Sequence, residues 1–266
     1  MAGRATFAIP TAFSSVTGLG APVAFFGPSR RARVIPLVCA AVCAFGAALV
    51  LVYGLAASAT AWSRFGVAAA QSMGSTPALV FGLLLVGAVL FLIYALLSWS
   101  KAVGLYEGGI AMRGLGRPRS WLWSDATAFY AAITRETGLF ARMRHKYTLE
   151  HLSGERASFD DRIENVAGLG ETLGEKMVEL HYAEAAARFN AGEPANFGEL
   201  SLDQRGIQLK DWAVPWADVA QVTLRRGYLE VHGRGGAHRS LRVAHIPNLQ
   251  VLLGLLENVT ELKIEE

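Results

Sequence analysis

Six histidines and a few charged clusters are the residues of this chain that could do chemistry. His145 and His151 stand six apart along a candidate strand. His181 and Glu184 stand three apart on a candidate helix, and His232, His238 and His245 are spread over a candidate hairpin. Imidazoles grouped with carboxylates would hold zinc, but the chain has no HExxH and no tight His/Asp pair at ligand spacing. Solvated surface histidines, with no metal and no cofactor, are therefore expected. The run Gly168-Leu-Gly-Glu-Thr-Leu-Gly-Glu-Lys176 is the nearest approach to a phosphate-cradling loop. There Glu175 separates Gly174 from Lys176, no Ser or Thr follows, and Glu171 and Glu175 would repel a phosphate. Asp160-Asp161 adjoins Arg162 and reads as the close of a strand rather than a cation site. No catalytic residue emerges, and the chain reads as a non-enzyme.

Two basic clusters remain. Arg113, Arg117 and Arg119 lie in one strand-to-strand loop, and Arg142, Arg144 and Lys146 form a second group. Held near an anionic leaflet, each cation would contribute about 1 kcal/mol to headgroup binding. The alternative is that they enforce topology and solubility.

The elements that must position these groups differ sharply between the two parts of the chain. Of 266 residues, 52% are hydrophobic, more than an average soluble protein carries. All 22 acidic residues lie at or after Glu107, and before Lys101 the only charges are Arg4, Arg30, Arg31, Arg33 and Arg64. The net +3 therefore reports a membrane-anchoring region and gives no support to nucleic-acid binding. Residues 34–57 and 77–99 are uncharged and each is long enough to span a bilayer. The absence of any carboxylate, His, Lys or Arg from both spans argues against transport or intramembrane chemistry. Arg30, Arg31 and Arg33 flank the first span and Lys101 follows the second, so the positive-inside rule places both termini in the cytoplasm. Residues 1–33 read as a cytoplasmic leader, loosely structured over 1–29, and 58–76 as a short external connector. Cys39 and Cys43, four apart in the first span, read as small packing residues. The chain is thus expected in the inner or plasma membrane as a multi-pass protein.

From Lys101 onward, short alternating runs separated by turn residues predict antiparallel strands. After Asp160 the period becomes helical, with Val166, Leu169, Leu173, Met177 and Leu180 on one stripe. The plan then repeats. Gly109-Ile110 corresponds to Gly206-Ile207, Trp123-Ser-Asp125 to Trp216-Ala-Asp218, and Asn165 to Asn248 before each helix. Leu249, Leu252, Leu253 and Leu256 form the second helix's stripe. The fold class expected is α+β: a transmembrane hairpin, then modules at 101–192 and 195–264, each a bent antiparallel sheet plugged by its C-terminal helix. The repeated residues have structural readings. Glycine supplies positive φ at a corner, Trp buries apolar area, Asp accepts backbone N–H bonds at the next turn, and Asn caps the helix.

This order of motifs resembles bacterial pleckstrin-homology-like (PH-like) domains. The whole layout is similar to an uncharacterised bacterial membrane protein family with two membrane helices and tandem cytoplasmic PH-like domains. Leu19-Gly-Ala-Pro-Val23 resembles that family's lead-in, and Phe197-Gly-Glu-Leu-Ser-Leu202 resembles the opening of its second module. The resemblance implies a partly open barrel capped by a helix, and no activity. The functional expectation is a membrane-anchored binding or scaffold protein that recognises a protein partner or self-assembles into a homo-oligomer. Anionic headgroup binding is the alternative.

Overall fold

The computed structural model describes residues 18–114, 118–136, 142–259 and 262–265. It forms two compact units, the first built around a helical hairpin and the second holding the strands. In the hairpin, α1 (Arg30–Phe65) and α2 (Val67–Trp99) are separated by Gly66 alone. The segment 58–76, read as a connector, is therefore almost wholly helical. Its Ala, Ser and Gln residues tolerate helix, and the turn is confined to Gly66, whose φ of 81° is left-handed. Both helices are long and apolar enough to cross a membrane. They meet through small residues: a Cβ on Gly54 would lie 2.8 Å from Pro77 Cβ, and one on Gly74 2.8 Å from Ser58 Oγ. Ala47, Ala61, Ala88 and Ala95 are buried, whereas Phe45, Val52, Leu55, Leu83 and Leu90 are exposed. Apolar side chains facing out and small ones facing in suit a helix pair surrounded by lipid. Cys39 and Cys43 are both free thiols and half-buried.

The second unit contains two copies of one topology. In the first copy, β1 (Pro22–Phe26), β2 (Ala102–Tyr106), β3 (Gly109–Arg113) and β4 (Arg119–Leu122) form a four-stranded sheet in sequence order. A 3-10 turn at Trp123–Asp125 passes the chain to a second sheet. This sheet is made of β5 (Ala126–Glu136), β6 (Arg142–His151) and β7 (Arg156–Asp160), and α3 (Val166–Asn190) follows. The second copy repeats this with β8 (Ala195–Phe197), β9 (Leu200–Leu202), β10 (Gly206–Leu209) and β11 (Trp212–Pro215). A 3-10 turn at Trp216–Asp218, then β12 (Val219–Arg225), β13 (Tyr228–Gly233), β14 (His238–Arg242) and α4 (Leu249–Glu257) complete it. A further strand, β15 (Leu262–Glu265), lies parallel to β12.

Two expectations need correction. Each module divides its strands between two separate hydrogen-bonded sheets rather than one bent sheet. The barrel expected was an open one, and no closed barrel forms among the described residues. The Trp-X-Asp turn interrupts pairing between consecutive strands, so the chain changes sheet there. The end of the leader is also not loose. Phe26 pairs with Val103 and Phe25 with Gly104. Leu19 is buried, and its carbonyl accepts from Gly108 N at 2.8 Å. The strand at 22–26 escapes a sequence reading because it is short and its partner lies some seventy-five residues away, beyond the whole hairpin. It is the counterpart of β8.

Each module has its own core. The first gathers Val103, Leu105, Ile110, Trp121, Phe129, Leu149 and Phe159 under the N-terminal half of α3, through Leu169, Leu173 and Met177. The second gathers Leu200, Leu202, Ile207, Val222, Leu229 and Val231 under α4. Its buried helix face is Val251, Leu252, Leu255 and Leu256, with Leu249 and Leu253 only partly covered. The C-terminal half of α3 also packs on this second core, through Val178, Tyr182, Ala186 and Phe189. One helix therefore belongs to both cores.

Candidate functional site

The doubled phrase is a structural corner, and its atoms are used the same way twice. Trp123 Nε1 donates to Tyr106 O at 2.9 Å, and Trp216 Nε1 to Asp203 O at 2.8 Å. Trp123 N bonds Gly108 O and Trp216 N bonds Arg205 O, both at 3.1 Å. The Asp residues act through their main chains: Asp125 O accepts from Leu152 N at 2.8 Å, and Asp218 O from Arg234 N at 2.7 Å. The expected carboxylate-to-backbone bonds belong instead to Asp203, whose Oδ1 accepts from Arg205 N and Gly206 N. Nor do Gly109 and Gly206 supply positive φ. They are glycine because a Cβ would run into the cross-strand carbonyls of Trp121 and Val214. Ile110 and Ile207, the next residues, are fully buried.

The two Asn residues have diverged. Both are left-handed, with φ of 50° at Asn165 and 51° at Asn248. Asn165 caps its helix, accepting from Gly168 N at 3.4 Å. Asn248 caps nothing with its side chain. It accepts from Phe129 N at 2.9 Å, donates from Nδ2 to Thr127 O at 3.1 Å, and its own N–H bonds Phe129 O at 2.8 Å. It thus mimics a short strand against the edge of β5 and ties the second module to the first. His181 ties α3 to the same strand, donating from Nε2 to Ala126 O at 2.9 Å.

The glycine run of α3 is a packing surface. Gly170 lies under the Tyr147 ring and Gly174 against the Gln250 side chain, so neither faces a phosphate. Asp160 pairs with Arg162, and Asp161 Oδ1 accepts from His145 N, closing the strand as expected.

Arg119 does not join the second basic group. Arg113 ends β3 and is exposed, and Arg117 lies outside the described residues. Arg119 forms an ion pair with Glu155, in the turn beyond the end of β6. Arg142, Arg144 and Lys146 alternate along the opposite end of that strand. Arg144 and His151 are seven residues apart, roughly 24 Å of extended chain. Cross-strand partners of the second cluster include acids, Glu136 opposite Arg142 and Asp160 opposite Lys146.

Three tyrosines titrate above their ordinary range. Burial raises Tyr106. Burial, then the Glu150 charge and a hydrogen bond to it, raises Tyr130 against the lowering effect of Arg156. Burial, then Asp161 and Glu171, raises Tyr147. Tyr130 hydrogen-bonds the Glu150 carboxylate, which Arg156 also pairs, at 2.9 Å. An open depression over β8–β10 is lined by Asn196, Ser201, Gln208 and Lys210, with Glu199 the other titratable group. Nothing in it forms a nucleophile–base pair.

One cluster was missed by sequence spacing. Glu230 and His232 project from the same face of β13, and His238 stands directly across on β14. The available signal was the turn at 233–237. Its glycines fold a tight hairpin, so 232 and 238 become cross-strand neighbours.

Two membrane-length helices carrying a duplicated antiparallel α+β module, with no assembled catalytic group among the described residues, define the class. The chain belongs to the Family of unknown function DUF6585, whose model matches residues 12–263. No curated protein matches it.

Proposed function

We propose that this chain is a membrane-anchored, non-enzymatic binding or scaffold protein. Its tandem modules, read as PH-like domains, recognise an extended protein segment along the edge of β5. The carrying observation is an asymmetry between the copies. In the second module the outer edge of β12 holds β15, paired from Val222 to Arg225. In the first, long helix α3 leads the chain away to the second module, and among the described residues β5 stays at the edge of its sheet. Asn248 takes up the backbone groups of Phe129 and Thr127 only. By strand alternation, the N–H and C=O of Ala131, Ile133 and Arg135 point the same way as those of Phe129. The segment Ala131-Ala-Ile-Thr134 carries no Pro, Lys or bulge that would blunt an edge, and Ile133 is 47% exposed. Such an edge accepts a strand by β-augmentation. A partner protein and a second copy of this chain are both suitable donors.

Membrane anchorage rests on the two apolar helices. The hairpin is inserted between paired strands β1 and β2, so the chain leaves and re-enters one module. This favours both hairpin ends on one side of the membrane, and Arg30, Arg31 and Arg33 favour the cytoplasmic side.

The test is a photo-crosslinking residue at Thr134 in the full-length protein in its native membrane. A discrete adduct that disappears with Ile133→Pro is expected. No adduct, or one indifferent to that proline, refutes the reading. Headgroup binding is the second reading, favoured by Arg144 and Lys146, two residues apart and so on one face of β6. It predicts slower hydrogen exchange along β6 in anionic than in neutral nanodiscs.

A further inference from the structure

We propose a divalent transition-metal site on the β13–β14 hairpin, formed by Glu230, His232 and His238, with zinc as the best-matched ion. It is independent of the β5 edge. Local sequence builds it. Glu230 and His232 are two apart on a strand and so share a face. Gly233 N bonds Ala237 O at 2.7 Å and Gly236 takes a φ of 77°, which closes the turn and sets the register His232 opposite His238.

The geometry is close to that of a bound ion. His232 Nε2 lies 3.5 Å from Glu230 Oε2, and His238 Nε2 lies 4.0 Å from the same oxygen. The imidazole centroids are 4.8 Å apart, tilted by 38°. All three ligand atoms lie within 4.8 Å of one another. Two ligands of one tetrahedral zinc stand about 3.3 Å apart at ordinary Zn–N and Zn–O lengths. Small side-chain rotations of His238 and His232 close the difference, with no change in the strands.

The donor set selects the class of ion. Two imidazoles and a carboxylate suit zinc and its neighbours in the first transition row, not calcium or magnesium, which take oxygen ligands. Three protein ligands leave a fourth position for water or a donor from another molecule. Arg239, the nearest cation along β14, pairs across from Val231 and so belongs to the opposite face. Glu230 is the least exposed of the three side chains, at 28% against 40% for His232 and 48% for His238. An ion there is reached from solvent yet held by a partly shielded carboxylate.

The test uses full-length protein in detergent micelles, stripped with a chelator and titrated with zinc chloride against a chromophoric competitor. One zinc per chain is expected, weakened about tenfold or more by either His232→Gln or His238→Gln. His151→Gln, which removes a histidine placed 3.7 Å from Asp125 on another sheet, should leave the affinity unchanged. His238 is exposed, so its variant keeps the fold and carries the test if His232→Gln does not. Absence of stoichiometric zinc, binding that survives His238→Gln, or equal weakening by His151→Gln overturns the proposal.

Discussion

Replacing Asn248 with alanine should loosen the contact between the two modules at a single point. The change removes two side-chain hydrogen bonds, Phe129 N to Oδ1 and Nδ2 to Thr127 O. Each contributes about 1 kcal/mol net. It also puts alanine at a φ of 51°, which costs about 1 kcal/mol more than Asn there. The expected loss is therefore about 3 kcal/mol. Asn248→Gly keeps the left-handed backbone and should lose about 2 kcal/mol, since only the bonds are gone. Asn165→Ala removes one long cap bond and incurs the same backbone strain, for about 1.5–2 kcal/mol. Denaturant unfolding of the purified full-length protein measures the totals. Hydrogen exchange at the Phe129 amide locates the cause. That amide should exchange faster in Asn248→Ala and Asn248→Gly, and at the wild-type rate in Asn165→Ala. Unchanged exchange at Phe129 in Asn248→Ala would refute the inter-module role.

Other substitutions follow from the same contacts. Gly170→Ala pushes a methyl into the buried Tyr147 ring and should lose about 1–2 kcal/mol, whereas Gly174→Ala meets only the flexible end of exposed Gln250 and should gain up to about 1 kcal/mol of helix propensity; thermal melts compare them. Tyr106→Phe should be neutral or stabilising, because the buried hydroxyl has no hydrogen-bond partner among the described residues. The same burial raises the Tyr106 pKa, so its contribution holds below pH about 10 and is lost as pH rises through the folded value. Tyr106→Phe should therefore also lessen unfolding in alkali, read by circular dichroism against pH. Gly54→Leu should force α1 from α2 at Pro77 and lower the melting temperature in micelles, while Gly82→Leu, with open space around it, should not.

The sequence made the duplication legible because both copies keep the same residues at the same tight corner. Trp123 and Trp216, Gly109 and Gly206 could be aligned by eye. Their atomic roles could not, since a glycine needed for close approach looks the same as one needed for positive φ. Asn165 and Asn248 carry the point further: the same residue before each helix caps one and bridges to a distant strand in the other. Non-local pairing was hidden for the same reason. Nothing near Pro22–Phe26 announces a partner at Val103, and nothing in the spacing of Glu230, His232 and His238 joins them until the hairpin register is known. The apolar spans, by contrast, were legible from charge and length alone, although the helical connector was not, because its small polar residues suit a loop as well as a helix.

The edge of β5 beyond Phe129 is where binding is proposed, and amide exchange at Ala131 and Ile133 tests it most directly. The comparison is between the protein in its native membrane and the same protein purified in detergent. Slow exchange in the membrane that becomes fast on purification, with Val222 and Leu224 on the covered β12 slow in both, is the result expected. Equally fast exchange of Ala131 and Ile133 in both settings would contradict the account.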